Sequence, residues 1–115
     1  MNNNIAVDYI SGDSIVYDKL KVYNGGVNAA NDIYEVIGYN TQHKTNFWSN
    51  GTYNICYFDG YWVITSQEIN DNFYPTTAEY YSNSIDLINV IVTVQPYEVT
   101  TWNVGTAGIS PIPTI

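Results

Sequence analysis

The feature that most constrains the fold is the stretch TYNICYFDGYWVITS at residues 52–66, in which Asp59-Gly60 separates two aromatic-rich segments. Asp-Gly in this position is a strong signal for a two-residue β-hairpin, because a type I′ turn requires a positive φ at both central residues. The turn fixes the register of the two strands. It predicts these cross-strand pairs: Phe58 with Tyr61, Tyr57 with Trp62, Cys56 with Val63, Ile55 with Ile64, and Asn54 with Thr65.

The predicted register divides the hairpin into two faces, since side chains alternate along a strand. We assign the richer face to the core, and it carries Tyr53, Ile55, Tyr57, Trp62 and Ile64. The other face carries Asn54, Cys56, Phe58, Tyr61, Val63 and Thr65. An ordinary antiparallel sheet has one apolar face. We therefore expect Phe58 and Tyr61 to be covered either by this chain's own loop and tail or by another molecule.

The rest of the chain repeats the same composition, with β-branched and aromatic residues punctuated by Gly, Asn, Asp and Pro. This pattern is typical of an all-β protein. Strands are predicted near residues 5–10, 14–23, 33–38, 45–49, 51–58, 61–66, 78–81, 85–94 and 99–104. The predicted fold is a small antiparallel β-sandwich or barrel-like domain with the Asp-Gly hairpin at its centre.

The chain is long enough for one domain, with 115 residues of which 45% are hydrophobic. Within it, residues 1–23 are predicted to form a strand pair or an anchor segment, and residues 24–115 a Tyr/Trp-rich module. Residues 67–77 are predicted to form a long loop. The tail GISPIPTI, residues 108–115, contains two prolines and is predicted to be an edge or an extended arm, of a kind that often lies on a neighbouring subunit, or else a frayed end.

Charge excludes two classes of partner. The net charge is −8 with no arginine, and the three lysines cannot form the basic patch that nucleic-acid binding requires. An anionic membrane is an equally poor partner, whereas a basic protein surface would be attracted. We find no signal peptide and no transmembrane segment in the sequence, and we expect synthesis in a cytoplasm. The single cysteine, Cys56, allows no internal disulfide.

No set of residues predicts catalysis or metal binding. The only histidine, His43, lies in a polar turn, and Cys56 lies in a strand with no histidine at a fixed register to activate it. The carboxylates are scattered, and the Asp71-Asn72 region does not match a calcium-binding loop. Asn50-Gly51-Thr52 fits a glycosylation triplet, but we interpret it as a turn. The sequence predicts a non-enzymatic protein without a cofactor or a metal site.

The remaining peculiarity is the number of aromatic residues, with twelve tyrosines and three tryptophans. Exposed rings can stack on sugars, and they also anchor protein interfaces because they combine area with a polar tip. A sugar site requires rings beside acids or amides, whereas a protein interface requires an apolar centre. The candidate interaction surface consists of Phe58, Tyr61, Trp48, Tyr57, Tyr80 and Trp102.

Several segments together form a wider pattern: Tyr34, NGTYNI at residues 50–55, DGYWVI at 59–64, YYSNS at 80–84, and TWNVG followed by PIPT at 101–114. This pattern resembles a small β module of bacteriophage virion proteins, found in tail fibres and in proteins attached to the head. The resemblance covers residues 25–114. Two segments depart from it: residues 1–23 lie outside it, and residues 85–99 are longer and more apolar than expected, which suggests an inserted strand pair.

The resemblance implies a non-enzymatic structural or accessory virion protein, made in the host cytoplasm. It would decorate the capsid or attach to a fibre by protein–protein docking, in many copies or as an oligomer. Its partners would be other virion proteins. The alternative is a carbohydrate-binding module for host-surface adhesion, which would use the same exposed rings on a host glycan.

Overall fold

The computed structural model describes residues 6–7, 16–41, 43–58, 60–67, 78–85, 87 and 92–115. Its strands are β1 (Ala6–Val7), β2 (Val16–Tyr17), β3 (Lys19–Lys21), β4 (Ile33–Asn40), β5 (Thr45–Ser49), β6 (Asn54–Phe58), β7 (Tyr61–Thr65), β8 (Tyr80–Ser82) and β9 (Trp102–Val104). In these ranges the only helical segments are two 3-10 turns, Asn28–Ala30 and Pro96–Glu98. The prediction of an all-β protein is confirmed.

The strands form one main sheet and one small pair. Seven strands follow each other in chain order from β3 to β9, all antiparallel, in a sheet that curls into a half-barrel. Strands β1 and β2 form a separate antiparallel pair. The N-terminal segment therefore contains the predicted strand pair, but it also supplies β3, which belongs to the main sheet.

The central hairpin of β6 and β7 has the predicted register. All five predicted pairs are present, from Phe58 with Tyr61 to Asn54 with Thr65. Gly60 has a φ of +96°, the left-handed conformation that the second turn position requires. Asp59 lies outside the described residues. The turn chemistry thus determines which side chains of this hairpin share a face.

The core lies on the concave face of the curled sheet. Its most deeply buried members come from the seven strands of the main sheet and two connecting segments: Leu20, Val22, Tyr34, Trp48, Ile55, Trp62, Ile64, Tyr80, Val92 and Trp102. The predicted core face of the hairpin lies here, because Ile55, Trp62 and Ile64 are fully buried and Tyr53 and Tyr57 pack against them. The indole rings of Trp48 and Trp62 lie 5.9 Å apart between centroids at the centre of this cluster.

The turn between β5 and β6 is organised by Asn50. Its side-chain oxygen accepts hydrogen bonds from the backbone N–H groups of Thr52 and Tyr53, at 2.9 and 2.7 Å. Its amide nitrogen donates to Asp32 Oδ2 at 3.2 Å and to the Ala29 carbonyl at 3.4 Å. The structure therefore shows the predicted turn and explains it, since Asn50 bonds its own backbone and ties the turn to the 3-10 segment.

The C-terminal arm, residues 108–115, lies on its own chain. Tyr23 and Thr114 exchange two backbone hydrogen bonds of 2.9 Å, and the Gly26 N–H donates to the Pro111 carbonyl at 2.8 Å. Pro113 is buried against the body of the protein. Of the readings that the sequence left open, the structure shows an extended arm docked in cis.

Three segments differ from the predicted strands or lie outside the described residues. In residues 85–94, the described positions 85, 87 and 92–94 are not in a strand, and Val92 is buried with its N–H donating to the His43 carbonyl. Residues 68–77, most of the predicted loop, lie outside the described part, as do Asp71 and Asn72. Most of the predicted strand 5–10 also lies outside it, with Ala6–Val7 described.

Candidate interaction surfaces

The outer face of the central hairpin is buried along most of its length. Cys56 and Val63 are 4% and 5% exposed, and Thr65 is fully buried. Phe58 is half-buried, whereas Tyr61 is exposed. Of the two residues whose covering the sequence left open, Tyr61 is therefore the one that presents a ring to solvent in this structure.

A second tyrosine stands beside Tyr61 on the outer face. Tyr81 of β8 pairs with Val63 of β7, so that its side chain lies on the same face as that of Tyr61. The two rings meet edge to face, with centroids 6.2 Å apart and planes at 87°. Tyr61 and Tyr81 are 39% and 38% exposed. These two rings form the exposed aromatic part of the outer face.

Three rings of the candidate surface belong to the core instead. Trp48 and Tyr80 are fully buried and Trp102 is 3% exposed, so none of the three can contribute to an exposed surface here. Tyr57 is half-buried and packs edge to face against Trp62 at 5.8 Å. We therefore remove Trp48, Tyr80 and Trp102 from the candidate surface, and an interaction role for Phe58, Tyr61 and Tyr57 stays a prediction.

His43 and Cys56 lie on opposite faces of the sheet. The imidazole of His43 packs edge to face on the ring of Tyr57 at 5.2 Å, on the core side of the sheet. Cys56 is the neighbour of Tyr57 in β6, so its side chain points to the opposite face. Burial raises the pKa of the Cys56 thiol to about 12. The thiol is therefore protonated near neutral pH and does not provide a thiolate nucleophile.

The described part of the chain contains no group of three or more His, Cys, Asp or Glu side chains that could hold a metal ion. One carboxylate, Glu79, is buried with 5% exposure, and its Oε1 accepts the N–H of Ser66 at 3.0 Å. This hydrogen bond connects the residue after β7 to the residue before β8, so the Glu79 carboxylate stabilises the fold. No helix among the described residues is both long and apolar enough to cross a membrane.

A shallow cleft of about 180 Å³ opens between the end of β8 and the segment 94–101. Its lining includes Ser82, Ile85, Glu98 and Thr101. Ser82 is committed to the fold, because its Oγ accepts the N–H of Trp62 at 2.9 Å and donates to the Asn83 carbonyl at 2.7 Å. Among the described residues that line it, the cleft has one exposed carboxylate, that of Glu98, and its Oε1 already accepts the N–H of Gln95 at 2.7 Å.

The C-terminal arm creates a second exposed region, which we call the arm surface. It consists of Tyr23, Val104, Ile109 and Ile112, which are 41%, 40%, 61% and 39% exposed. The arm passes close to the other two residues of this surface. Its Thr114 bonds the backbone of Tyr23. Its Gly108 lies so near Val104 that a Cβ there would be 3.0 Å from Val104 Cγ1. Residues 99–115 contain no charged side chain. The arm surface is thus apolar, with three aliphatic side chains and one tyrosine, on a strongly acidic protein.

Comparison of the chain with protein-family models, with curated proteins and with solved structures finds no match.

Sequence reasoning missed two features of these surfaces. It selected Tyr80 of the adjacent pair Tyr80-Tyr81, whereas the structure exposes Tyr81 and buries Tyr80. A shift of one residue in strand register exchanges the two faces of a strand. The pairing of Tyr81 with Val63 is therefore what shows that Tyr81, and not Tyr80, lies on the outer face. It also did not identify Ile109 and Ile112, although the absence of charge in the tail was a visible signal.

Proposed function

We propose that this chain is a non-enzymatic accessory protein of a bacteriophage virion, which attaches to capsid or fibre subunits by protein–protein docking. The observation that carries the proposal is the arm surface. Four apolar side chains are exposed there, in a region without charge, on a backbone held in place by its own hydrogen bonds. Apolar centres of this kind distinguish docking surfaces from the general protein surface.

The arm is suited to docking because it is ordered before a partner arrives. The Tyr23–Thr114 bonds, the Gly26–Pro111 bond and the buried Pro113 hold its backbone. Two prolines also restrict it in the unbound state. A surface that is already in its bound conformation loses little conformational entropy on association, so a small contact area gives more affinity.

The charge of the chain supports a protein partner of opposite sign. The net charge is −8. Within the described residues one salt bridge is present, between the exposed side chains of Lys19 and Glu35 at 3.3 Å, so most of the negative charge is not paired inside the chain. An acidic body around an uncharged contact surface steers association toward a basic partner surface and opposes contact with nucleic acid. Attachment in many copies would raise the avidity of a weak single contact.

The virion context of the proposal comes from the sequence pattern described above. The segments NGTYNI, DGYWVI and YYSNS correspond in the structure to the turn before β6, the hairpin into β7, and β8. They contribute to three neighbouring strands of the sheet, β6, β7 and β8, and the arm PIPT forms an isolated bridge to Tyr23. The resemblance to the phage module therefore rests on the residues that build this fold.

The proposal is tested by co-sedimentation of the purified chain with capsids and with tail fibres assembled from the virion proteins encoded beside its gene. We expect the chain to co-sediment with one of them in multiple copies. Ile109→Ser and Ile112→Ser together should weaken this binding by about tenfold or more. The matched control is Ile37→Ser, because Ile37 is 57% exposed on β4 and Ile109 is 61% exposed.

Two outcomes would contradict the proposal. One is that the folded chain binds neither capsids nor fibres. The other is that the arm variants bind as well as the control variant does.

A further inference from the structure

We propose that the outer face of β7, β8 and β9 binds a neutral saccharide through Tyr61, Tyr81, Asn83 and Asn103. We call these residues the tyrosine–asparagine strip. The site is separate from the arm surface and goes beyond protein docking, because it gives the chain a second class of ligand.

Strand register brings the strip together. Tyr81 of β8 pairs with Asn103 of β9 and with Val63 of β7, and Tyr61 lies two residues before Val63. Directly paired residues of an antiparallel sheet share a face, and so do residues two apart in a strand. Tyr61, Tyr81 and Asn103 therefore project from the same side of the sheet on three successive strands.

The two rings are held in position before any ligand binds. Their edge-to-face contact has a centroid distance of 6.2 Å and an interplanar angle of 87°. Val63 pairs with Tyr81, shares a face with Tyr61 and is 5% exposed, so the sheet is closely packed between the two tyrosines. The electron-rich face of a tyrosine attracts the polarised C–H groups of a sugar ring. A ring that is already fixed loses little freedom when a sugar stacks on it.

Two amides lie beside the backbone of Tyr81. Asn103 Nδ2 donates to the Tyr81 carbonyl at 3.3 Å and to Asn83 Oδ1 at 3.0 Å. These bonds orient both side chains, and among the described residues no bond occupies Asn103 Oδ1 or Asn83 Nδ2. The strip thus presents one fixed acceptor and one fixed donor. Sugar hydroxyl groups can donate and accept at once, so two adjacent hydroxyls match this pair.

Charge selects the kind of saccharide. Strands β7, β8 and β9 have the sequences YWVIT, YYS and WNV, without a charged residue. The chain as a whole carries −8. A saccharide that carries carboxylate, sulfate or phosphate would find no cation on the strip and would be repelled by the rest of the protein. The ligand is therefore a saccharide of uncharged units.

The chemistry of the strip also favours a sugar over a protein. Its groups are two exposed phenol rings, the exposed Asn83 amide and the half-buried Asn103 amide, with no exposed aliphatic side chain among them, whereas the arm surface has three. A protein interface requires an apolar centre, which the strip lacks. Rings flanked by oriented amides provide the few well-placed polar groups that small-molecule sites use.

The experiment is a glycan array probed with the labelled full-length chain. The array carries neutral hexose, N-acetylhexosamine and deoxyhexose oligosaccharides together with sialylated and phosphorylated versions of the same sugars. Hits are then measured by saturation-transfer NMR and titration. We expect binding to one or more neutral members and weaker binding to their charged versions. Tyr81→Ser and Asn103→Ala should each weaken it by about tenfold.

Control variants separate binding from folding and from docking. Tyr39→Ser removes a ring that is 53% exposed on β4, and it should leave sugar binding unchanged. Ile109→Ser should weaken docking to virion proteins and leave sugar binding unchanged. Thermal unfolding of each variant shows whether it is folded, and both Tyr81 and Asn103 are surface positions.

Three results would overturn the saccharide proposal. The first is no binding to any neutral member of the array. The second is equal binding by the folded Tyr81→Ser variant and the unaltered chain. The third is that Tyr81→Ser impairs attachment to virion proteins while no saccharide binds, which would assign the strip to the docking surface.

Discussion

The hydroxyl group of Tyr80 donates a hydrogen bond of 2.7 Å to the backbone carbonyl of Ile109. The same oxygen accepts the N–H of Val27 at 2.8 Å. A fully buried side chain on β8 therefore connects the C-terminal arm to the segment that follows β3. This one hydroxyl therefore connects the segments that follow β3 and β9, the two edge strands of the main sheet.

Replacing Tyr80 with Phe is expected to destabilise the protein by about 1–3 kcal/mol, because a partly buried N–H and a carbonyl lose their partner together. Urea unfolding measures the change. Amide hydrogen exchange at Val27 should accelerate in the variant, which a general loss of packing would not produce selectively. Tyr81→Phe is the matched control, since it removes an exposed hydroxyl from the next residue and should change the unfolding free energy by less than about 0.5 kcal/mol. Equal effects of the two variants would contradict the role given to the Tyr80 hydroxyl.

Gly26 is expected to tolerate no side chain while the arm is docked. A Cβ on Gly26 would lie 2.2 Å from the carbonyl oxygens of both Ile109 and Ser110, which are backbone atoms and cannot rotate away. Gly26→Ala should therefore displace the arm and destabilise the protein by about 1–3 kcal/mol. Faster exchange of the Thr114 amide is the direct readout.

Gly25→Ala serves as the control for this prediction. The three nearest neighbours of its Cβ would all be side-chain atoms, Asn31 Oδ1 and Pro113 Cβ at 3.2 Å and the Tyr80 hydroxyl at 3.3 Å. We expect a smaller loss of stability than for Gly26→Ala. An unchanged Thr114 exchange rate in Gly26→Ala would show that the arm is not held at this glycine.

Asn50→Ala is expected to lower the free energy of unfolding by about 1–2 kcal/mol, since four side-chain hydrogen bonds of the β5–β6 turn depend on Asn50. Thermal or urea unfolding gives the magnitude. Thr52→Ala, at an exposed position in the same turn, should have little effect. If both variants unfold alike, the turn is held by its backbone and not by Asn50.

The pH dependence of stability should report the buried thiol of Cys56. Burial raises the pKa of this group to about 12, whereas a thiol in an unfolded chain ionises near about 8.5. The thiol favours the folded state fully below the unfolded value, and this contribution is lost as pH rises toward the folded value. Between pH 8 and pH 10 the loss should approach about 1.4 kcal/mol per unit above the unfolded pKa.

Urea unfolding of the unaltered chain and of Cys56→Ala at pH 7, 8, 9 and 10 isolates this effect. The variant is expected to be less stable at pH 7, because it leaves a small cavity. The stability difference between the two proteins should then shrink as pH rises. Parallel curves over the whole range would contradict the assignment of the change to Cys56.

Sequence chemistry predicted the centre of the fold because its signals were local. Asp59-Gly60 determined the hairpin register, and alternation then assigned Ile55, Trp62 and Ile64 to the core. The bounds of β5 were also predicted. The irregular register between Val36 and Gly38 was not predicted. At Gly38 the ring of Phe47, from the neighbouring strand, occupies the space that a side chain would need. That contact between strands leaves no local trace.

The candidate site was harder to predict than the fold. Alternation identifies which residues share a face, but it does not determine which face a short strand turns inward. Tyr80 and Tyr81 are chemically identical neighbours, and only the pairing of β8 with β7 and β9 distinguishes them. The arm was recognisable as unsuited to a central strand, yet its docking partner, Tyr23, is 91 residues away from Thr114 along the chain.

The reciprocal hydrogen bonds between Tyr23 and Thr114 have a consequence for crowding. Unpaired backbone at the rim of a sheet attracts any extended peptide by β-augmentation, whatever its side chains are. At Tyr23 the arm already occupies those backbone groups. Copies of this protein packed side by side on a particle could not extend one another's sheets there. A neighbouring chain at this position would find the backbone groups of Tyr23 already paired, so side chains would decide the contact, and side chains can discriminate between partners.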